Sequence, residues 1–183
     1  MNKYEHIKQE AFEANCQLPG LGLVLFTFGN VSAADRSLGV FAIKPSGMLY
    51  EKLSPGNMVI VDFEGKKVEG ALRPSSDTLT HAVLYKQWEN IGGIAHTHSI
   101  YASAWAQALR SIPLYGTTHA DYTTGNIPCT TPMSDEAIKD NYEYATGMQI
   151  IHCFKENGYN YEETEMILVG SHAPFTWGKN AAK

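Results

Sequence analysis

Between residues 22 and 70 four short runs follow one another: GLVLFTF (22–28), VFAIK (40–44), MVIVDF (58–63) and KKVEG (66–70). Each is bounded by Gly, Pro, Asn or Asp, so each reads as a strand ending in a tight turn. Glu64-Gly65 has the chemistry of a hairpin tip. Strands joined this closely point to a largely antiparallel sheet that needs helices to cover it.

The helices are equally legible. Ile7, Ala11, Ala14 and Leu18 follow helical spacing, which predicts a helix over about 3–17, stopped by Pro19-Gly20. Pro74-Ser75-Ser76-Asp77 offers three capping side chains, so a helix is expected from there to about Glu89. GGIAHTH (92–98) reads as a strand, after which Ser99 opens a helix with Tyr101, Trp105 and Leu109 on one face. A Thr- and Gly-rich loop is expected over about 111–133. Ser134 then caps a helix to Asn157, with Tyr144, Met148, Ile151 and Phe154 on one face, and MILVG (166–170) reads as a last strand. The fold class is α/β.

Length and composition fit a single domain over 1–183: apolar residues make up 44% and charged ones 18%, with no repeat or linker. The net charge is -5 and the longest basic run is Lys66-Lys67, which argues against a nucleic-acid or anionic-membrane partner. The start, MNKYEHIKQEAFEAN, alternates charge with apolar residues and reads as neither signal peptide nor membrane span. Cys16, Cys129 and Cys153 are scattered and odd in number, which suits a reducing cytoplasm. They read as small buried hydrophobes.

Strand side chains alternate, so His96 and His98 point to one face and can share an ion. His172 follows another apolar run. Three neutral imidazoles would leave a tetrahedral zinc one open position; the plainer alternative is a half-exposed pair and an unrelated surface histidine. Asp77 is a possible fourth ligand, with helix capping as its ordinary role. Ser75 and Ser76 at a helix start, Lys44-Pro45-Ser46-Gly47 and Gly29-Asn30 each offer a seat for a phosphate. His119-Ala120-Asp121-Tyr122 lies in the long loop, where acid–base groups are often carried. Glu143 sits on a helix where a carboxylate ordinarily faces solvent. His6, His81 and His152 have no partner pattern and read as ordinary helix residues.

Taken together, GNVSA (29–33), KPSG (44–47), PSSDT (74–78), GGIAHTHS (92–99), GTTHADY (116–122), IPCT (127–130) and SHAPFTWGKNA (171–181) resemble the class II aldolase/epimerase family. Within it they resemble the branch that epimerises pentulose phosphates at C4. The segments span nearly the whole chain in order. The resemblance implies a three-layer α-β-α fold and a zinc ion held by Asp77, His96, His98 and His172. It implies substrate and phosphate contacts at Gly29, Asn30, Lys44, Ser46, Gly47, Ser75 and Ser76. It further implies an acid–base Asp121 supported by Thr117 and Glu143, and a cytoplasmic homotetramer in which Asp121 serves a neighbouring subunit's metal.

The implied reaction converts L-ribulose 5-phosphate to D-xylulose 5-phosphate by breaking and remaking C3–C4, in arabinose or ascorbate catabolism. That branch draws a second acid–base group from a tyrosine in a C-terminal tail. Residues 173–183 contain no Tyr, so the expectation is a chain without that tail, with lowered turnover if these residues are the whole polypeptide. One alternative is a fuculose-phosphate type aldolase, which has Glu where Asp77 stands. Another is an adducin-like binding module, which should purify without metal.

Overall fold

The computed structural model describes residues 3–182. Helix α1 (Glu5–Gly20) precedes four strands, β1 (Asn30–Asp35), β2 (Val40–Ile43), β3 (Val59–Asp62) and β4 (Lys67–Glu69). Helix α2 (Thr78–Gln87), strand β5 (Gly93–His96), helix α3 (Ile100–Gln107) and short helix α4 (Gly116–Ala120) follow. The long helix α5 (Asp135–Asn157) and the pair β6 (Met166–Leu168) and β7 (Pro174–Gly178) complete the order. The strands form one sheet, β4-β3-β2-β1-β5-β7-β6, with every adjacent pair antiparallel.

Alternation divides the sheet into two buried faces. Phe41, Ile43, Val59 and Val61 pack with Leu84 and Tyr85 of α2 and with Ile150, Ile151 and Phe154 of α5. Val40, Ala42, Met58 and Ile60 point the other way and meet Ile7, Ala11, Ala14 and Leu18 of α1. The fold is therefore the expected α-β-α sandwich on an antiparallel sheet. The four α1 positions picked by spacing are all buried. That helix runs through Pro19 to Gly20 before ending.

Several expectations need correction. Residues 22–28 form no strand: they make an irregular loop in which Leu25, Phe26 and Phe28 are exposed. The first strand is instead NVSAAD, small and polar, which lies between β2 and β5 with Ser32 and Ala33 fully buried. PFTWG, read only as part of a family motif, is strand β7. On α3, Tyr101 faces outward and Ala106 is the buried position, while Leu109 lies beyond the helix end and is exposed. On α5 the core-facing side is Gly147, Ile150, Ile151 and Phe154, whereas Tyr144 and Met148 are exposed. Cys16 is exposed, and Cys129 and Cys153 are half-buried against the edges of core clusters, so none is fully buried. His6 and His152 each meet a carboxylate, Asp35 at 2.9 Å and Glu156 at 3.0 Å.

Three features bear directly on the site. Ser134 Oγ accepts from the Ala137 amide at 3.3 Å, starting α5 where expected. The helix is then broken at Asn141, whose φ of -147° and ψ of 79° are not helical. Past that break α5 lies hard against α2, because a Cβ at Gly147 would stand 2.7 Å from Val83 Cβ. Thr80 Oγ1 also donates to the Glu143 carbonyl at 2.6 Å. Finally, Arg36 just past β1 donates to the carbonyls of Tyr85, Trp88 and Ile91, gathering the last turn of α2. Among the described residues no helix is long and apolar enough to cross a membrane.

Candidate functional site

His96 is the last residue of β5, His98 lies two residues on, and His172 sits in the turn between β6 and β7. Ser171, at a positive φ of 63°, makes that turn sharp enough to aim His172 back at the sheet. The Nε2 atom of His96 is 3.1 Å from His98 Nε2 and 3.2 Å from His172 Nε2. The Phe175 ring stacks on His96 with centroids 4.2 Å apart, fixing its plane. His96 Nδ1 lies 3.0 Å from the Pro174 carbonyl. A carbonyl only accepts, so Nδ1 carries the proton and Nε2 presents a bare lone pair.

Burial pushes all three imidazoles below their ordinary value, and the neighbouring rings add to this at His98 and His172, the latter falling to about 4. At neutral pH they are uncharged, the form that ligates a metal. Their donor atoms lie within 4.8 Å of one another. Three neutral nitrogens converging on one point suit a borderline-soft divalent ion such as zinc. Asp77 stands outside this group.

Asp77 occupies the position before α2 yet makes no side-chain capping bond, so its ordinary role does not apply here. Its Oδ2 instead accepts from Asn30 Nδ2 at 2.6 Å. The Asn30 amide also donates to Ser75 Oγ at 3.1 Å. Asn30 is buried, and its Oδ1 has no partner among the described residues. A buried acceptor left over in this way is a place for a ligand's hydroxyl. Gly29, at a φ of 77°, is needed beside it: a Cβ there would stand 2.6 Å from Val24 Cγ1 and 2.9 Å from the His96 carbonyl.

The phosphate-seat elements are pinned together. The Ser75 amide donates to the Lys44 carbonyl at 3.0 Å, and the Ser46 amide to the Arg73 carbonyl at 2.9 Å. Lys44 is buried, its Nζ donating to the Thr27 carbonyl at 3.0 Å. Burial lowers its amine to about 8, with the charge of Asp77 opposing the shift. One cleft of about 410 Å³ is lined by Gly29, Asn30, Lys44, Ser46, Gly47, Ser75, Ser76 and Asp77, together with the three histidines. That is room for a small phosphorylated metabolite. Glu143 lines the same cleft rather than facing away from the protein.

Thr117 and Asp121 are not brought to this cleft. Both are exposed, on α4 and just after it. Two residues near the cleft escaped the sequence. His81, set aside as an ordinary helix residue, is fully buried, its Nδ1 2.7 Å from Ser32 Oγ, and burial drives it down to about 3. Its spacing of four from Asp77 was an available signal. Tyr142 lines the cleft with its hydroxyl hydrogen-bonded to His172 Nδ1. Nothing local announced it, because the break at Asn141 decides where it points.

The sequence matches the family described as Class II Aldolase and Adducin N-terminal domain over residues 9–183. It is 51% identical over 177 residues to proteins named L-ribulose-5-phosphate 4-epimerase UlaF in Salmonella paratyphi C (strain RKS4594) and in Salmonella typhi, covering 97% of this chain and 77% of each relative. Among solved structures, an L-fuculose 1-phosphate aldolase superposes with a TM-score of 0.78 at 23% identity, over 96% of this chain and 76% of the other. The L-fuculose-1-phosphate aldolase of Thermus Thermophilus gives 0.72 at 21%, over 96% and 82%. Likeness at such identity speaks for the fold.

Proposed function

This chain belongs to the Class II Aldolase and Adducin N-terminal domain family, and on that premise we propose that it interconverts L-ribulose 5-phosphate and D-xylulose 5-phosphate. The observation that carries the reading is one cleft in which three neutral imidazoles face the Lys44, Ser46, Ser75 and Ser76 elements. The 51% identity to proteins named as 4-epimerases supports epimerisation over simple cleavage.

The chemistry asks for a retro-aldol route. C4 of the substrate has no adjacent carbonyl, so its hydrogen is not acidic and simple enolisation does not invert it. Breaking C3–C4, turning the released aldehyde and remaking the bond does. His96, His98 and His172 would hold a zinc ion, with Asp77 beside them, and the bound ion supplies Lewis-acid polarisation of the ketose oxygens. Lys44, Ser46, Gly47, Ser75 and Ser76 hold the phosphate, which keeps the aldehyde fragment in place between cleavage and return. Asn30 Oδ1 and the backbone at Gly29 orient the sugar hydroxyls.

Asp121 exchanges the proton of the C4 oxygen, with Thr117 and Glu143 in support. Asp121 is exposed and does not line its own chain's cleft, which supports the reading that it serves the cleft of a neighbouring copy in a cytoplasmic homotetramer. The test follows both products from zinc-loaded protein and L-ribulose 5-phosphate. Formation of D-xylulose 5-phosphate is the expected result. Net release of dihydroxyacetone and glycolaldehyde phosphate without epimer would replace it with an aldolase.

A further inference from the structure

The three imidazoles differ in what holds their outer nitrogens. His96 Nδ1 donates to the Pro174 carbonyl, an arrangement with only one possible direction. His172 Nδ1 meets the Tyr142 hydroxyl, which can donate or accept. The two rings also lie nearly parallel, 9° apart with centroids at 5.8 Å. We infer that Tyr142 is the positioning residue for His172, holding its outer nitrogen so that Nε2 faces His96 and His98.

The direction of each bond follows from the neighbours. His96 Nε2 is bare and offers one lone pair, which His98 Nε2 at 3.1 Å and His172 Nε2 at 3.2 Å both face, so it alone does not fix the His172 proton. A phenol donates more readily than it accepts, and the Tyr142 hydroxyl donating to Nδ1 sets that proton on Nε2. A metal on Nε2 requires the other tautomer, with Nδ1–H donating to the Tyr142 oxygen. A hydroxyl serves both states by turning about its C–O bond; a carbonyl or an ammonium serves one.

Tyr142 is in turn fixed by the chain. It follows the break at Asn141, its carbonyl accepts from Thr146 Oγ1 at 2.8 Å, and the next residue's carbonyl is held by Thr80. The hydroxyl is therefore delivered by the α2–α5 contact, from the layer opposite α1.

This inference rests on the histidines being the metal ligands, and the experiment separates the two. Zinc affinity is measured by chelator competition for the parent, Tyr142→Phe, His96→Ala and His172→Ala, with melting temperatures as a folding check. The expected result is loss of zinc in both alanine variants and affinity weakened roughly 10–100-fold in Tyr142→Phe. Nitrogen-15 spectra of the His172 ring supply a readout without metal. In the parent, Nδ1 should be the acceptor nitrogen when zinc is absent and the protonated one when it is bound. In Tyr142→Phe the metal-free ring should become a mixture of tautomers. Parental affinity and an unchanged ring spectrum in Tyr142→Phe overturn the inference. Retention of zinc by the alanine variants brings down the three-histidine reading instead, and the metal-free ring spectrum still decides whether Tyr142 holds His172.

Discussion

The strand-end cleft and the segment over 111–133 carry the two halves of the candidate chemistry, and they are built in opposite ways. Around the cleft several polar side chains are held by distant parts of the chain: Asn30 with Ser75 and Asp77, Lys44 with Thr27, His96 with Pro174. The other segment runs over the surface, closed on itself by a bridge at Ile112–Ile127 and tied to β6 by one at Cys129–Leu168, and Thr117 and Asp121 stand exposed on it. On the proposed reading, a site for an ion and a phosphate would be preorganised by the sheet, whereas a proton-transfer group serving another copy would need only to be presented, and the fold within one chain leaves Asp121 uncovered.

The comparison can be broken most sharply at the cleft. His96→Ala or His98→Ala should reduce bound zinc from about one per chain to nearly none and abolish turnover, because two imidazoles do not close the site. Metal analysis by mass spectrometry checks this; parental zinc content in both variants refutes the assignment. Asp121→Asn should lower epimerisation about 10²–10⁴-fold while zinc content and melting temperature stay put. Mixing Asp121→Asn chains with His96→Ala chains, after unfolding and reassembly, should restore activity, since some clefts then take a sound Asp121 from a neighbour. No recovery on mixing would return Asp121 to its own chain's site.

Smaller effects sharpen the contrast. Ser75→Ala and Ser76→Ala should raise KM for the phosphorylated sugar about tenfold, with zinc retained, since the phosphate is remote from the bond being broken. Zinc loss with KM untouched would move these serines to the metal. Smallest is the pH effect of Lys44. Burial lowers its amine to about 8, so the folded protein loses that charge as pH rises through 8. A pH profile of kcat/KM should therefore fall above about 8, and Lys44→Met should lower the plateau and remove that limb.

The histidines and the Lys44, Ser46, Ser75 and Ser76 segments that line the cleft are legible as candidates because their logic is local. Two-residue alternation puts His96 and His98 on one side, and Ser and Gly at element ends mark anion seats wherever they occur. What escaped depends on contacts between distant segments. NVSAAD is a central strand because Ala and Ser fit between two neighbours, a fact visible only once β2 and β5 flank it. GLVLFTF has the opposite character: it is apolar enough for a strand, but hydrophobicity fixes a wish for burial and not a partner, and here Phe26 stays exposed. Asp77, read as a metal ligand with capping as its ordinary role, makes no capping bond, and its Oδ2 accepts from Asn30, 47 positions away. Tyr142 depends on one non-helical residue inside an otherwise regular helix.

Strand β1 and the residue just past it hold α2 along its whole length. Asn30 reaches Ser75 and Asp77 at the start of that helix, Ser32 meets His81 and Tyr85 midway, and Arg36 takes the carbonyls at its end. The three are even-numbered, so they share one side of the strand. They act as a seam with stitches at both ends and the middle, which leaves α2 no freedom to slide along the sheet. A one-residue insertion before Ser32 would turn Ser32 and Arg36 to the wrong side together, undoing the middle and far stitches at a stroke. The back wall of the cleft must therefore move as a single plate, and any adjustment to a ligand falls to the pieces outside the seam: the turn bearing His172, the broken helix bearing Tyr142, and the loop over 22–28.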